Sequence, residues 1–326
     1  MRSFSLRFAG VLGLAAALAV VAPAALAQSY PDKQVRLVVP FPAGGVTDVL
    51  GRLVAQKLSE RWGQPVVVEN RAGAGGNVGT EFGARAVPDG YTLTLGSIAT
   101  AISQSLYKNL RYDMQRDFRP VSMLVTSDLV LLANPSFPVR DAAELVAYAK
   151  ANPGKVDYAS SGNGTSFHLA GTMLATAADI RMQHVPFAGG APAMTALIGG
   201  QVPIMFNNVV DGMVQVKNGK LKALAVTGAK RSATAPNVPT MVEQGFRDFV
   251  VTPWFGIMVP KATPDAVVRK LNADINEVLR QADVRERLLQ LGAEPAGGTS
   301  EAFDAFARAE VDRWAKAVKA SGASIE

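Results

Sequence analysis

Side chains suited to covalent or acid–base chemistry are few in this sequence. Its 326 residues include two histidines, His168 and His184, and no cysteine. Disulfides, thiolate metal ligands and cysteine nucleophiles are therefore excluded. Ser160, Ser161 and Ser166 stand just before His168, an arrangement that raises a serine hydrolase. No G-x-S-x-G elbow accompanies them, and a serine near a histidine is not a triad. His168 falls at an expected helix start, where hydrogen bonding or packing accounts for it. No H-E-x-x-H, EF-hand loop or carboxylate cluster occurs, so no metal site is expected.

The stretch Arg36-Leu-Val-Val-Pro-Phe-Pro-Ala-Gly-Gly-Val-Thr-Asp48 offers backbone chemistry instead. Val35–Val39 is short, apolar and β-branched, the pattern of a buried strand. Two prolines and two glycines end it. Leu50, Leu53, Val54, Leu58 and Trp62 then mark one face of a helix, with Thr47 as its N-cap. A tight loop ending in a helix N-terminus presents N–H groups and a dipole that favour an anion. Glycines remove the Cβ atoms that would hold the anion away.

The elements around that loop repeat its logic. Val66–Glu69 and Tyr91–Leu95 read as strands, a helix is expected over 78–86, and Gly96–Thr100 reads as a loop. Such alternation predicts a parallel sheet with its loops at the carboxyl edge, where open α/β sheets bind ligands. Gly73-Ala-Gly-Gly-Asn-Val78 completes only part of a dinucleotide fingerprint, since valine stands at the last position. Further on, strand Val156–Ala159, the loop Ser160–Ser166 and a helix over 167–177 form a second strand–loop–helix unit. Thr165 or Ser166 would cap that helix. Asn207 ends the short strand 203–206. Two extended crossings, near 121–133 and 250–258, suggest two α/β units hinged together. The expected division is 28–125 plus 255–326 for the first domain and 126–254 for the second.

Composition agrees with a folded, exported protein. Arg2 and Arg7, an apolar run over 11–21 and Ala25-Leu26-Ala27 fit a signal peptide over 1–27. Cleavage would leave a periplasmic chain beginning near Gln28. No later segment is long and apolar enough to span a bilayer. The formal charge of +6, less the two leader arginines, becomes +4. Its basic residues are scattered, which argues against nucleic-acid binding.

Several motifs, in this order, resemble one family. They are Val38-Val-Pro-Phe-Pro-Ala-Gly-Gly45 with Thr47-Asp48, Val68-Glu-Asn-Arg71 with Gly73–Gly76, Pro88-Asp-Gly-Tyr91, Tyr158–Thr165, Gly199-Gly-Gln-Val202, Leu224-Ala-Val-Thr227 and Val238-Pro-Thr240. Together they resemble the substrate-binding receptors of tripartite tricarboxylate transporters, the Bug receptors, over essentially the whole mature chain. The resemblance implies a two-domain α/β periplasmic binding protein, a type II-like Venus flytrap with a hinge and an interdomain cleft. It implies capture of a small organic carboxylate, delivery to a two-subunit membrane permease, action as a monomer, and no cofactor. A sensory receptor presenting its ligand to a membrane kinase is the alternative within the same fold.

Carried over residue by residue, and joined to the donors read above, the expected ligand-binding set falls on both domains. Phe41, Ala43, Gly44, Gly45, Thr47 and Asp48 form the carboxylate loop, with Ser97 and Thr100 beside it. Ser161, Gly162, Thr165, Ser166, Ala188 and Asn207 are expected from the second domain. Asn207 stands where the family often has aspartate, which points to a mono- or dicarboxylate without a free amino group. Arg71 is the one basic residue in the loops assigned to the cleft.

Overall fold

The computed structural model describes residues 30–187 and 189–325; the expected leader lies outside them. The chain forms β1 (Val35–Val39), α1 (Val46–Trp62), β2 (Val66–Asn70), α2 (Asn77–Ala84), β3 (Thr92–Ser97), α3 (Ile98–Leu106), α4 (Met114–Asp117) and β4 (Phe118–Thr126). Then come β5 (Leu129–Ala133), α5 (Ala142–Ala151), β6 (Val156–Ser160), α6 (Ser166–Ala178), β7 (Met182–Pro186), α7 (Gly190–Ile198), β8 (Ile204–Asn208), α8 (Val209–Lys217) and β9 (Lys222–Val226). The chain ends with β10 (Trp254–Pro260), α9 (Asp265–Arg280), α10 (Ala282–Gln290), β11 (Glu294–Gly297) and α11 (Ser300–Ser321).

Two sheets result: β11-β4-β10-β3-β1-β2, and β7-β6-β8-β5-β9. The α/β alternation makes β1 parallel to β2 and β3, and β6 parallel to β7 and β8. Each sheet also holds an interior strand that runs against both its neighbours, and β11, at the edge of the first sheet, runs against β4. β10 is antiparallel to β3 and β4, and β5 is antiparallel to β8 and β9. These are the strands that follow the two crossings, so each sheet is completed by chain arriving from the other. The apolar stretch 121–133 is thus two strands in different sheets, parted at Ser127-Asp128. The second crossing becomes strand only at Trp254.

β1 lies inside its sheet, with Val35, Leu37, Val38 and Val39 fully buried, as its unbroken apolar run requires. Leu50, Val54 and Leu58 of α1 join β1 in one core cluster. Gly51 permits the close approach, because a Cβ there would lie 2.8 Å from Val39. A second cluster is continuous from the sheet of β5–β9 through α3 to α11. Where β10 begins, the indoles of Trp254 and Trp314 both donate to Glu310 Oε2, at 3.0 and 2.9 Å. Glu310 is buried but satisfied, as a buried charge must be.

Candidate functional site

Loops from both sheets enclose a cavity of about 300 Å³, a size suited to a small ligand. Phe41 and Thr47 reach it from the β1–α1 connection, Gly75 from β2–α2, and Ser97 and Ile98 from β3–α3. Ser161, Asn163, Thr165 and Ser166 reach it from β6–α6, and Asn208 and Asp211 from β8–α8. Both sets lie at the carboxyl ends of parallel strands.

The first connection is held by a carboxylate. Asp48, buried, accepts hydrogen bonds from Gly44 N–H at 2.9 Å, Arg52 Nε at 2.9 Å and Asn70 Nδ2 at 2.8 Å. The Arg52 bond, aided by those from Gly44 and Asn70, holds the Asp48 carboxyl at about 2, against desolvation. Asp48 therefore braces the loop from behind. Thr47 is not the N-cap. That position is Gly45, with extended φ −79°, and Thr47 lies in the first helical turn. Among the described residues no side chain caps α1. Ala43, Gly44 and Gly45 are exposed beside the cavity rather than in its lining. The expected loop at 96–100 is absent: β3 runs directly into α3. Ser97 is the N-cap there, in a reciprocal capping box with Thr100. Ser97 lines the cavity, whereas Thr100 is buried outside its lining.

The second connection is held by imidazole. Thr165 caps α6, accepting from His168 N–H, and donates to Gly162 O at 2.8 Å. Gly162, at φ +129°, shapes the turn and is not in the cavity lining. Gly164 N–H donates to His168 Nδ1 at 3.0 Å, which places the neutral ring's proton on Nε2. His168 stacks on His184 with centroids 3.9 Å apart, and His184 Nε2 lies 2.6 Å from Ser160 Oγ. Burial lowers the pKa of His168. Burial, and then the repulsion that a second protonated imidazole at His168 would add, push His184 down to about 4. Ser160 is fully buried, so its contact with His184 supports the loop and does not face a substrate.

The remaining expected residues fall in several places. Ala188 lies outside the described residues. Asn207 is buried beneath the cavity, where its Oδ1 accepts from Asn208 N–H at 2.6 Å; Asn208 lines the cavity instead. Tyr107, Ser127, Asn163, Asn208 and Asp211 also face it without having been expected. Arg71 serves the fold, with its guanidinium 3.6 Å over Phe82 and paired to Glu69. Among the described residues no lysine, arginine or histidine lines the cavity, and no group of three His, Asp or Glu could hold a metal. No described helix is long and apolar enough to cross a membrane.

Two contacts join the opposing loops. A Cβ at Gly164 would come within 2.1 Å of Leu106 on α3, and one at Gly292 within 1.8 Å of Val210 on α8. Paired α/β units enclosing a cavity at their facing loops define a two-domain solute-binding protein. Residues 50–323 match the model of the tripartite tricarboxylate transporter family receptor, and the chain belongs to that family. It is 39% identical over 324 residues to Protein BugT of Bordetella pertussis, covering 98% of this chain and 99% of that one. Among solved structures it resembles Rpa4515 of R. palustris with adipate, at 34% identity and TM-score 0.79, covering 90% and 99% of the two chains. It also resembles MatC (Rpa3494) of Rhodopseudomonas palustris with bound malate, at 34% identity and TM-score 0.76, covering 89% and 100%. A third similar structure is that of the periplasmic binding protein BugD, at 39% identity and TM-score 0.77, covering 91% and 100% of the two chains.

Proposed function

We propose that the protein captures a small organic carboxylate in this cavity and delivers it to a two-subunit membrane permease. The observation that carries this reading is the β1–α1 connection. A braced loop leads to a helix N-terminus with no side-chain cap among the described residues, beside a cavity whose described lining holds no cation. Such a site takes a carboxylate through backbone N–H groups and the helix dipole. Related proteins with adipate and malate support the ligand class. The chain is exported with its leader cleaved, acts as a monomer and performs no catalysis. Its lobes divide at the two crossings, and ligand shifts a hinge equilibrium toward closure.

A thermal-shift panel of carboxylates against their neutral amides tests this reading. A carboxylate at about a hundredfold excess over its Kd stabilises by about 2.7 kcal/mol. Its amide is expected to produce no comparable shift. Equal shifts for acids and amides would overturn the carboxylate assignment.

A further inference from the structure

Asp211 stands in the first turn of α8 and lines the cavity, exposed to it. It is the one carboxylate among the described lining residues, and it forms no ion pair with any described residue. Asn208, at the start of the same helix, lines the cavity with it. Surrounding protein nonetheless pushes its carboxyl above the ordinary aspartate range. Around it the lining is largely apolar, including Phe41, Ile98, Leu106, Phe167, Val210 and Phe255.

An ionised dicarboxylate in this cavity would face a third negative group, with no lysine, arginine or histidine in the described lining to offset it. Like charges a few ångströms apart repel strongly where water is thinned. A donor on the ligand would instead satisfy Asp211, and an apolar spacer would fill the space between. We propose that Asp211 selects the second polar group of the ligand, favouring an apolar-bodied monocarboxylate that carries a hydrogen-bond donor, hydroxyl or ammonium, over a dicarboxylate of equal length. This assignment rests on the carboxylate reading above and names the ligand class within it.

Two matched ligand ladders test it near neutral pH, by calorimetry on the full mature chain. One consists of hexanoate, its terminal hydroxy and amino derivatives, and adipate. The other consists of benzoate, its para-hydroxy and para-aminomethyl derivatives, and terephthalate. In the parent protein the best donor-bearing acid should bind about tenfold tighter than the matching diacid, and the two arms separate hydroxyl from ammonium. Asp211→Asn, close in shape, should abolish that margin or reverse it; Asp211→Ser repeats the test with a smaller group. Unliganded melting curves confirm that both variants fold. A diacid that binds the parent as tightly as the donor-bearing acids, or a ranking unchanged in both variants, overturns the role of Asp211 and leaves the receptor reading standing. Absence of binding by every carboxylate overturns both.

Discussion

In the β1–α1 unit the loop is tied to its helix by the carboxylate of Asp48; in the β6–α6 unit the tie is the neutral ring of His168. The first helix starts at a glycine with no side-chain cap among the described residues, whereas Thr165 caps the second. The first unit thus leaves its helix N-terminus without a side-chain cap, with the Asp48 carboxylate turned back onto the loop. The second spends its terminus on its own threonine and offers the hydroxyls of Ser161 and Ser166 to the cavity. Similar strand–loop–helix geometry is thus braced by a charged group in one unit and a neutral ring in the other.

The sharpest way to break the comparison is Asp48→Ala. It removes three hydrogen bonds to a buried carboxylate and leaves Gly44 N–H and Asn70 without that partner. A loss of about 2–4 kcal/mol in urea unfolding is expected, together with weaker carboxylate binding. A loss under about 0.5 kcal/mol, the range of ordinary surface changes, would show that the loop holds itself.

Acid should separate the units next. His184 has a folded pKa of about 4 against about 6.5 unfolded. The unfolded chain therefore takes up protons first, and the stabilisation present above about 6.5 is lost as pH falls toward 4, on the order of 2–3 kcal/mol. Asp48 behaves oppositely in range: its contribution, present above its ordinary value of 3.8, is lost only as pH falls through about 2. Hydrogen exchange at a pH between 4 and 5, corrected for intrinsic rates, should show loop 160–166 loosening while loop 41–48 stays protected. Equal loosening of both loops would contradict the assignment of imidazole to one and carboxylate to the other.

The smallest effect expected is from Gly45→Val. Gly45 has an ordinary φ of −79° and room for a Cβ, whose nearest neighbour would be Pro42 O at 3.8 Å. The variant should fold, while its side chain obstructs a carboxylate nearing the loop amides. Calorimetry should register about a tenfold loss of affinity. Unchanged affinity in the folded variant would move the carboxylate away from this loop.

How legible these units were in the sequence depended on punctuation. β1 and β6 are largely buried strands followed by glycine-containing loops, so strand, loop and helix could be read directly, although only the second loop ends in a capping threonine. Where punctuation was missing, the reading slipped. β3 enters α3 through Ser97 with no turn, so residues 96–100 looked like a loop. β8 enters α8 through Asn207-Asn208 in the same way. Because β8 is buried along nearly its whole length, no apolar–polar alternation showed which asparagine faces the cavity, and Asp211 one turn later went unnoticed. β11 contains proline and glycine, residues that strands usually avoid; its pairing with β4 is a tertiary effect. The insertion of β5 and β10 against their neighbours had no local signal either.

The chain has three tryptophans, and two of them meet at Glu310 beside the second crossing. Both indoles are fully buried and share one carboxylate oxygen, so the electric field each experiences is set by the same charge. A displacement of β10 against α11 changes that field at Trp254, while Trp314, on the same helix as Glu310, keeps its contact and serves as the reference. The start of β10 thus carries its own optical probe, and movement of that strand can be followed in the native emission spectrum with no dye attached.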